Sequence, residues 1–126
     1  MDRQPRDHQT PTGTLNSTAK AGLGGGGISA GTAWAGYDRD GFVDLYIARY
    51  VSTDPRHLPD LQRTTYKNAL TELPGNIPGE TNLLYHSRGG GTFEEAAAKA
   101  GVQNPQKAHG TGISWGDFDG DGWPDL

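Results

Sequence analysis

The chain has 126 residues, of which 33% are hydrophobic, 20 are Gly and none is Cys, and its formal net charge is -4. That length and composition allow one small domain with little core material, because burial has to outweigh backbone entropy. They exclude disulfides, zinc–thiolate centres and a Cys nucleophile, offer no basic stripe for nucleic acid, and contain no run long enough to span a membrane.

Residues 1–18 are polar with scattered Pro and Thr and are expected to be disordered; nothing in them has the apolar core of a signal peptide. Residues 22–31 form a Gly-rich loop, and 32–35 a short strand that leads into an Asp-rich turn. Residues 43–51 alternate and are rich in β-formers, which predicts a second strand and a hairpin across the turn. Residues 52–80 hold Pro55, Pro59, Pro74 and Pro78 and no sustained period. They read as an irregular insertion with a helical turn near 58–70. Residues 82–86 are a strand, 87–91 a turn and 92–94 the return strand. Residues 95–100 favour a short helix that Gly101 stops in the left-handed conformation. Residues 112–116 repeat the strand before the Asp-rich turn.

Trp34–Leu45 aligns without a gap with Trp115–Leu126, 81 residues later. Trp, the aromatic before the second Asp, three Asp, a Gly and the closing Leu coincide. A weaker repeat pairs Ala19-Lys20-Ala21-Gly22 with Ala98-Lys99-Ala100-Gly101. Short strands recurring at a long fixed period point to an all-β propeller or solenoid.

With Asp117 as position one, Asp117, Asp119, Asp121 and Asp125 stand at positions one, three, five and nine, and the carbonyl of Trp123 at seven adds a fifth oxygen. Gly122 permits the sharp turn. An oxygen-only set of this density suits a hard cation, above all Ca²⁺; left alone, the carboxylates repel one another. The first loop has Asp38, Asp40, Asp44 and the carbonyl of Phe42 in matching places. There Gly36 stands where the first Asp belongs, and Arg39 adds a positive charge, which predicts weaker binding than in the second loop. An EF-hand or dockerin loop needs an acid at position twelve, which is Ile47 in the first loop. The bland alternative, a solvated acidic turn, is weakened by two aligned loops with matched flanks.

Other motifs lack the context their chemistry needs. Residues 27–31 match the G-x-S-x-G elbow, but a Gly run precedes and a strand follows; residues 22–27 match G-x-G-x-x-G without a preceding strand or following helix. His8, His57, His86 and His109 have no metal-pair spacing, although His109 falls in reach of the second loop. Trp34 and Trp115 are assigned to packing between sheets rather than to a carbohydrate platform. Glu94 and Glu95 are adjacent on a strand, face opposite ways and make a poor acid/base pair.

Residues 112–126 resemble the FG-GAP/VCBS repeat of integrin-α-like β-propellers. With residues 82–85, 91–93 and 100–102 they resemble its bacterial ASPIC/UnbV, cartilage acidic protein-like branch, over roughly residues 19–126. The resemblance implies a propeller of about seven four-stranded blades with Ca²⁺ hairpin loops in several of them. This chain would supply little more than one blade and the start of another, as a fragment of a longer protein. The departures are Gly36, the turn 87–91 without its usual Asn and Asp, and the lack of the C-terminal ASPIC segment.

The expected organisation is a tail (1–18), a first repeat with a degenerate loop (19–51), an insertion (52–80), and a second hairpin with the full loop (81–126). The expected function is a non-catalytic, Ca²⁺-stabilised module of an extracellular or periplasmic parent, binding a protein or carbohydrate partner. Millimolar Ca²⁺ outside the cell matches such loops. The alternative is a calcium-stabilised accessory part of a larger carbohydrate- or lipid-active enzyme.

Overall fold

The computed structural model describes residues 18–56 and 77–126. The tail up to residue 17 and the expected helical turn near 58–70 lie outside the described residues. Four strands, β1 (Ile28–Ala35), β2 (Asp44–Val51), β3 (Leu83–Ser87) and β4 (Phe93–Glu95), form one antiparallel sheet in chain order. One helical turn, α1 (Ala97–Ala100), follows. The architecture is all-β, as expected.

β2 carries the sheet. Its β-branched and aromatic residues suit a pleated, buried surface, and it pairs with β1 from Ala35↔Asp44 to Ile28↔Val51 and with β3 at Leu45↔Tyr85, Tyr46↔Leu84 and Ile47↔Leu83. β1 begins at Ile28, four residues before the expected start at Thr32. Register shifts between Ile28 and Ser29 and between Ser29 and Gly31 absorb the Gly-rich sequence. Irregular pairing of this kind hides alternation from a periodicity count. Ser29 therefore lies in a strand opposite Arg49, not on a nucleophile elbow.

The two faces of the sheet are covered differently. Tyr46, Leu84 and Ala97 form the core on one face, with Tyr37, Val102, Ile113 and Trp115 packed against it. Trp115 meets Tyr46 edge-on with ring centroids 6.2 Å apart, as core packing requires. The Gly-rich loop crosses the other face. A Cβ on Gly25 would stand 3.0 Å from the Leu83 side chain, and one on Gly27 would stand 2.6 Å from the Arg49 guanidinium. The backbone lies this close to the sheet only because these residues have no side chain. Tyr85 holds the loop from below: its hydroxyl accepts from Gly24 N and donates to Gly24 O.

Trp34 departs from expectation. It is 54% exposed, and its ring meets the Phe93 ring edge-on with centroids 6.1 Å apart. The Gly-rich loop lies over Leu83, Tyr85 and Arg49 and leaves the Trp34 end of that face open. Two tryptophans that align in the sequence thus have unlike surroundings.

Buried polar groups are tied together around β2. Asn82 Oδ1 accepts from Arg49 N (3.0 Å), and Asn82 Nδ2 donates to the Tyr46 hydroxyl (2.9 Å), which in turn donates to Val102 O (2.9 Å). Burial raises the Tyr46 pKa above its ordinary value of 10.0, with the Asn82 hydrogen bond opposing. Arg49 Nη2 donates to Glu80 Oε2 at 2.7 Å and to Gly26 O. Ser52 N donates to Pro78 O at 2.9 Å, so the chain leaves β2 and returns toward β3 at one point.

α1 starts two residues later than expected because Glu95 belongs to β4 and Ala96 N donates to Leu84 O. Glu95 Oε1 accepts from Ala97 N (2.8 Å) and serves as the start of the turn. Gly101, at φ 76, ends it, with Gly101 N to Ala98 O and Val102 N to Ala97 O closing the cap. Residues 112–116 form no strand. Among the described residues a single antiparallel bridge, Gly116↔Asp125, is all that pairs there.

Candidate metal centre

There are two acidic loops, one joining β1 to β2 in the sheet and one bracketed by the isolated Gly116↔Asp125 bridge. That bridge is the counterpart, 81 residues on, of the Ala35↔Asp44 pair. The internal repeat extends to the hydrogen bonds. Tyr37 N donates to Asp44 Oδ2 and Phe118 N to Asp125 Oδ2. Asp40 N donates to Asp38 Oδ1 and Asp121 N to Asp119 Oδ1. Phe42 N donates to Asp40 Oδ1 and Trp123 N to Asp121 Oδ1. Gly41 (φ 96) and Gly122 (φ 84) make the same left-handed turn. Such a turn is natural for Gly and disfavours other residues.

In the second loop, one carboxylate oxygen from each of Asp117, Asp119 and Asp125 lies within 4.8 Å of the others. Asp117 is fixed from both oxygens: Oδ1 accepts from Gly120 N (2.8 Å) and Oδ2 from Gly122 N (2.9 Å). Backbone amides therefore aim three exposed or half-exposed carboxylates at one spot. Asp121 belongs to the loop but not to this cluster; its Oδ1 is taken by Trp123 N. The expected carbonyl ligand Trp123 has its ring under the guanidinium of Arg39, 5.0 Å from Cζ to the ring centroid.

The first loop differs in content. Asp38 and Asp40 cluster with His86, which sequence reasoning did not place there. His86 Nδ1 lies 3.1 Å from Asp44 Oδ1 and 3.3 Å from Asp38 Oδ2, and Nε2 lies 3.8 Å from Asp40 Oδ2. The imidazole also meets the Tyr37 ring edge-on at 6.1 Å. Asp44 is fully buried and accepts from Tyr37 N and from Ser87 N at 2.8 Å, so it anchors β3 to the loop whatever else it binds. Burial first, and then the charges of Asp38, Asp44 and Asp40, raise the Tyr37 pKa. The expected carbonyl ligand Phe42 lies at the loop's closed side: a Cβ on Gly36 would stand 2.9 Å from Phe42 O. His109, expected within reach of the second loop, has its contacts elsewhere. Its Nε2 is 2.8 Å from Ile77 O and its ring lies against Tyr50.

The sequence signal for His86 is its place one residue beyond the Leu45↔Tyr85 pair, which sets it opposite Asp44. Only the β2–β3 register reveals it.

Residues 74–126, which hold β3, β4, α1 and the complete loop, match the family described as FG-GAP-like repeat. This stretch is similar to an FG-GAP-like repeat over less than half of the chain. The FG-GAP-like repeat is a blade unit of β-propellers, and the antiparallel four-stranded meander has the architecture of one blade. Within the same chain, 45 residues are 51% identical to human (Homo sapiens) "Cartilage acidic protein 1" and 47% identical to its mouse (Mus musculus) counterpart, covering 36% of this chain in each case. The chain spans about 7% of the length of these curated relatives. No solved structure matches it. Among the described residues, no helix is long and apolar enough to cross a membrane.

Proposed function

We propose that the chain is a calcium-binding FG-GAP-like propeller module, non-catalytic in itself, that serves an extracellular or periplasmic parent as a scaffold for a protein or carbohydrate partner. One observation carries the metal: the carboxylates of Asp117, Asp119 and Asp125 converge within 4.8 Å. Two like charges about 4 Å apart repel by roughly 1 kcal/mol in water and more near protein. A folded loop that gathers three of them is therefore built for a counter-ion. The donor set fits Ca²⁺: it is oxygen-only, carried on a turn with left-handed Gly120 and Gly122, and open enough for further carbonyl or water ligands. Mg²⁺ demands a tighter octahedron. When bound, the cation supplies charge neutralisation and ties the two ends of the loop together, a structural task that suits a chain poor in core.

The test is isothermal titration calorimetry on the chain with Ca²⁺ and Mg²⁺. Ca²⁺ binding with a dissociation constant on the order of 10⁻⁴–10⁻³ M, weaker Mg²⁺ binding, and loss of the signal in Asp119→Asn are the expected results. Equal affinity for Mg²⁺, or no heat from either ion, defeats the proposal.

A further inference from the structure

From the first loop, the Arg39 side chain reaches into the second. Its backbone is left-handed, at φ 59, while its counterpart 81 residues on is Gly120, at φ 77. Gly is the residue this conformation favours, and an Arg there is strained. The strain is tied to a contact. Arg39 Cζ sits 5.0 Å from the centroid of the Trp123 ring, and Nη1 lies 3.6 Å from where a Cβ on Gly122 would stand. The guanidinium thus covers Gly122 and Trp123 together. It is not in an ion pair with a carboxylate of the second loop among the described residues, so it leaves those charges to a cation.

The two residues beneath it supply the amides that orient the loop. Gly122 N donates to Asp117 Oδ2 at 2.9 Å and Trp123 N donates to Asp121 Oδ1 at 2.8 Å. Asp117 is one of the three converging carboxylates. A group that holds Gly122 and Trp123 in place therefore holds Asp117 in place as well. We propose that Arg39 is a positioning residue for the second loop: stacked on Trp123, it pre-organises the cation cluster and couples the two acidic loops. The effect on calcium rests on the calcium reading above; the clamp itself does not.

Two physical effects of the guanidinium oppose each other, and their signs differ. As a clamp it tightens cation binding; as a nearby positive charge it weakens it. The charge is exposed and screened by salt, whereas the stacked contact acts through the backbone. Arg39→Gly is the informative variant, because it relieves the strained φ and copies the residue the second loop uses, so folding is retained. Its dissociation constant for Ca²⁺ is expected to rise two- to fivefold, the range of an exposed cation–π contact. Arg39→Lys keeps the charge without the planar fork and is expected to fall between wild type and Arg39→Gly. Tighter binding in Arg39→Gly, with Arg39→Lys like wild type, identifies plain repulsion and overturns the clamp.

A second readout needs no metal. In the wild-type protein treated with chelator, NMR should place the Arg39 Hδ resonances upfield through the Trp123 ring current. Amide exchange at Gly122 and Trp123 should quicken in Arg39→Gly. Unshifted Hδ resonances and unchanged exchange overturn the clamp. Wild-type protein that shows the clamp signature but takes up no Ca²⁺ defeats the calcium reading alone and supports the contact.

Discussion

Asp44 has two demands on one carboxylate. As position nine of the first loop it is a candidate cation ligand, yet it is fully buried and already satisfies Tyr37 N, Ser87 N and the His86 ring. Removing it strands two buried or half-buried amides, each worth about 1–3 kcal/mol when left unpaired. Asp44→Ala is therefore expected to lose about 3 kcal/mol in urea denaturation, metal present or absent. A loss below about 1 kcal/mol would show that the carboxylate serves the cation rather than the fold. Tyr46 poses a simpler case. Tyr46→Phe removes the donation to Val102 O and leaves Asn82 Nδ2 without its acceptor, at a cost of about 1 kcal/mol. Its raised pKa also has a sign. The unfolded phenol loses its proton near 10 while the folded one keeps it, so the folded state binds more protons above that pH. This contribution is complete below pH 10 and fades as pH rises through the folded value. Stability against pH should bend downward above about 10 in the wild type, and the bend should be smaller in Tyr46→Phe. At this scale the sequence marked Asp44 by its position in the loop but gave no hint of its burial. The insertion between β2 and β3 hides the register that sets His86 opposite it.

The loops, strands and turns were legible to different degrees. The β pattern of β2 is strong enough to fix its span to within one residue, and the Ala run and Gly101 encode α1 and its stop. The first half of β1 is not legible, because Gly31 and Ser29 break the alternation while the bulged pairing carries on to Ile28. Residues 112–116 carry the sequence of a strand, but a strand exists only where a partner pairs with it, and one bridge does not make a ladder. The pair of loops was the clearest signal, since Asp and Gly at fixed positions encode the turn locally. Their difference at Gly36 gives a prediction. Gly36→Asp restores the carboxylate that Asp117 provides in the second loop, yet the new Cβ would stand 2.9 Å from Phe42 O, so that carbonyl has to shift. Calorimetry should report a gain in Ca²⁺ affinity at the first loop of about tenfold, roughly 1.4 kcal/mol, short of the level of the second loop. No change in affinity would mean that the ligand register assigned to the loop is wrong.

At the scale of the molecule, a thin core makes stability sensitive to anything that binds the folded form alone. A cation with a dissociation constant of roughly 10⁻⁴–10⁻³ M, present at about 10 mM, stabilises by about 1.4–2.7 kcal/mol. Thermal melts with Ca²⁺ should lie several degrees above melts with chelator, and superimposed curves would count against the metal as a structural element. The sheet itself is assembled from neighbours in chain order, and its one long excursion begins and ends at the hydrogen bond from Ser52 N to Pro78 O. Because the two ends of that excursion already meet, lengthening it adds only the slow logarithmic cost of closing a larger loop, about 0.6 kcal/mol for each doubling. Polypeptide added at this point should therefore cost the sheet little beyond that closure term. A peptide tag, a fluorescent reporter or an entire guest domain grafted there is expected to leave the β1–β2 and β2–β3 registers unchanged.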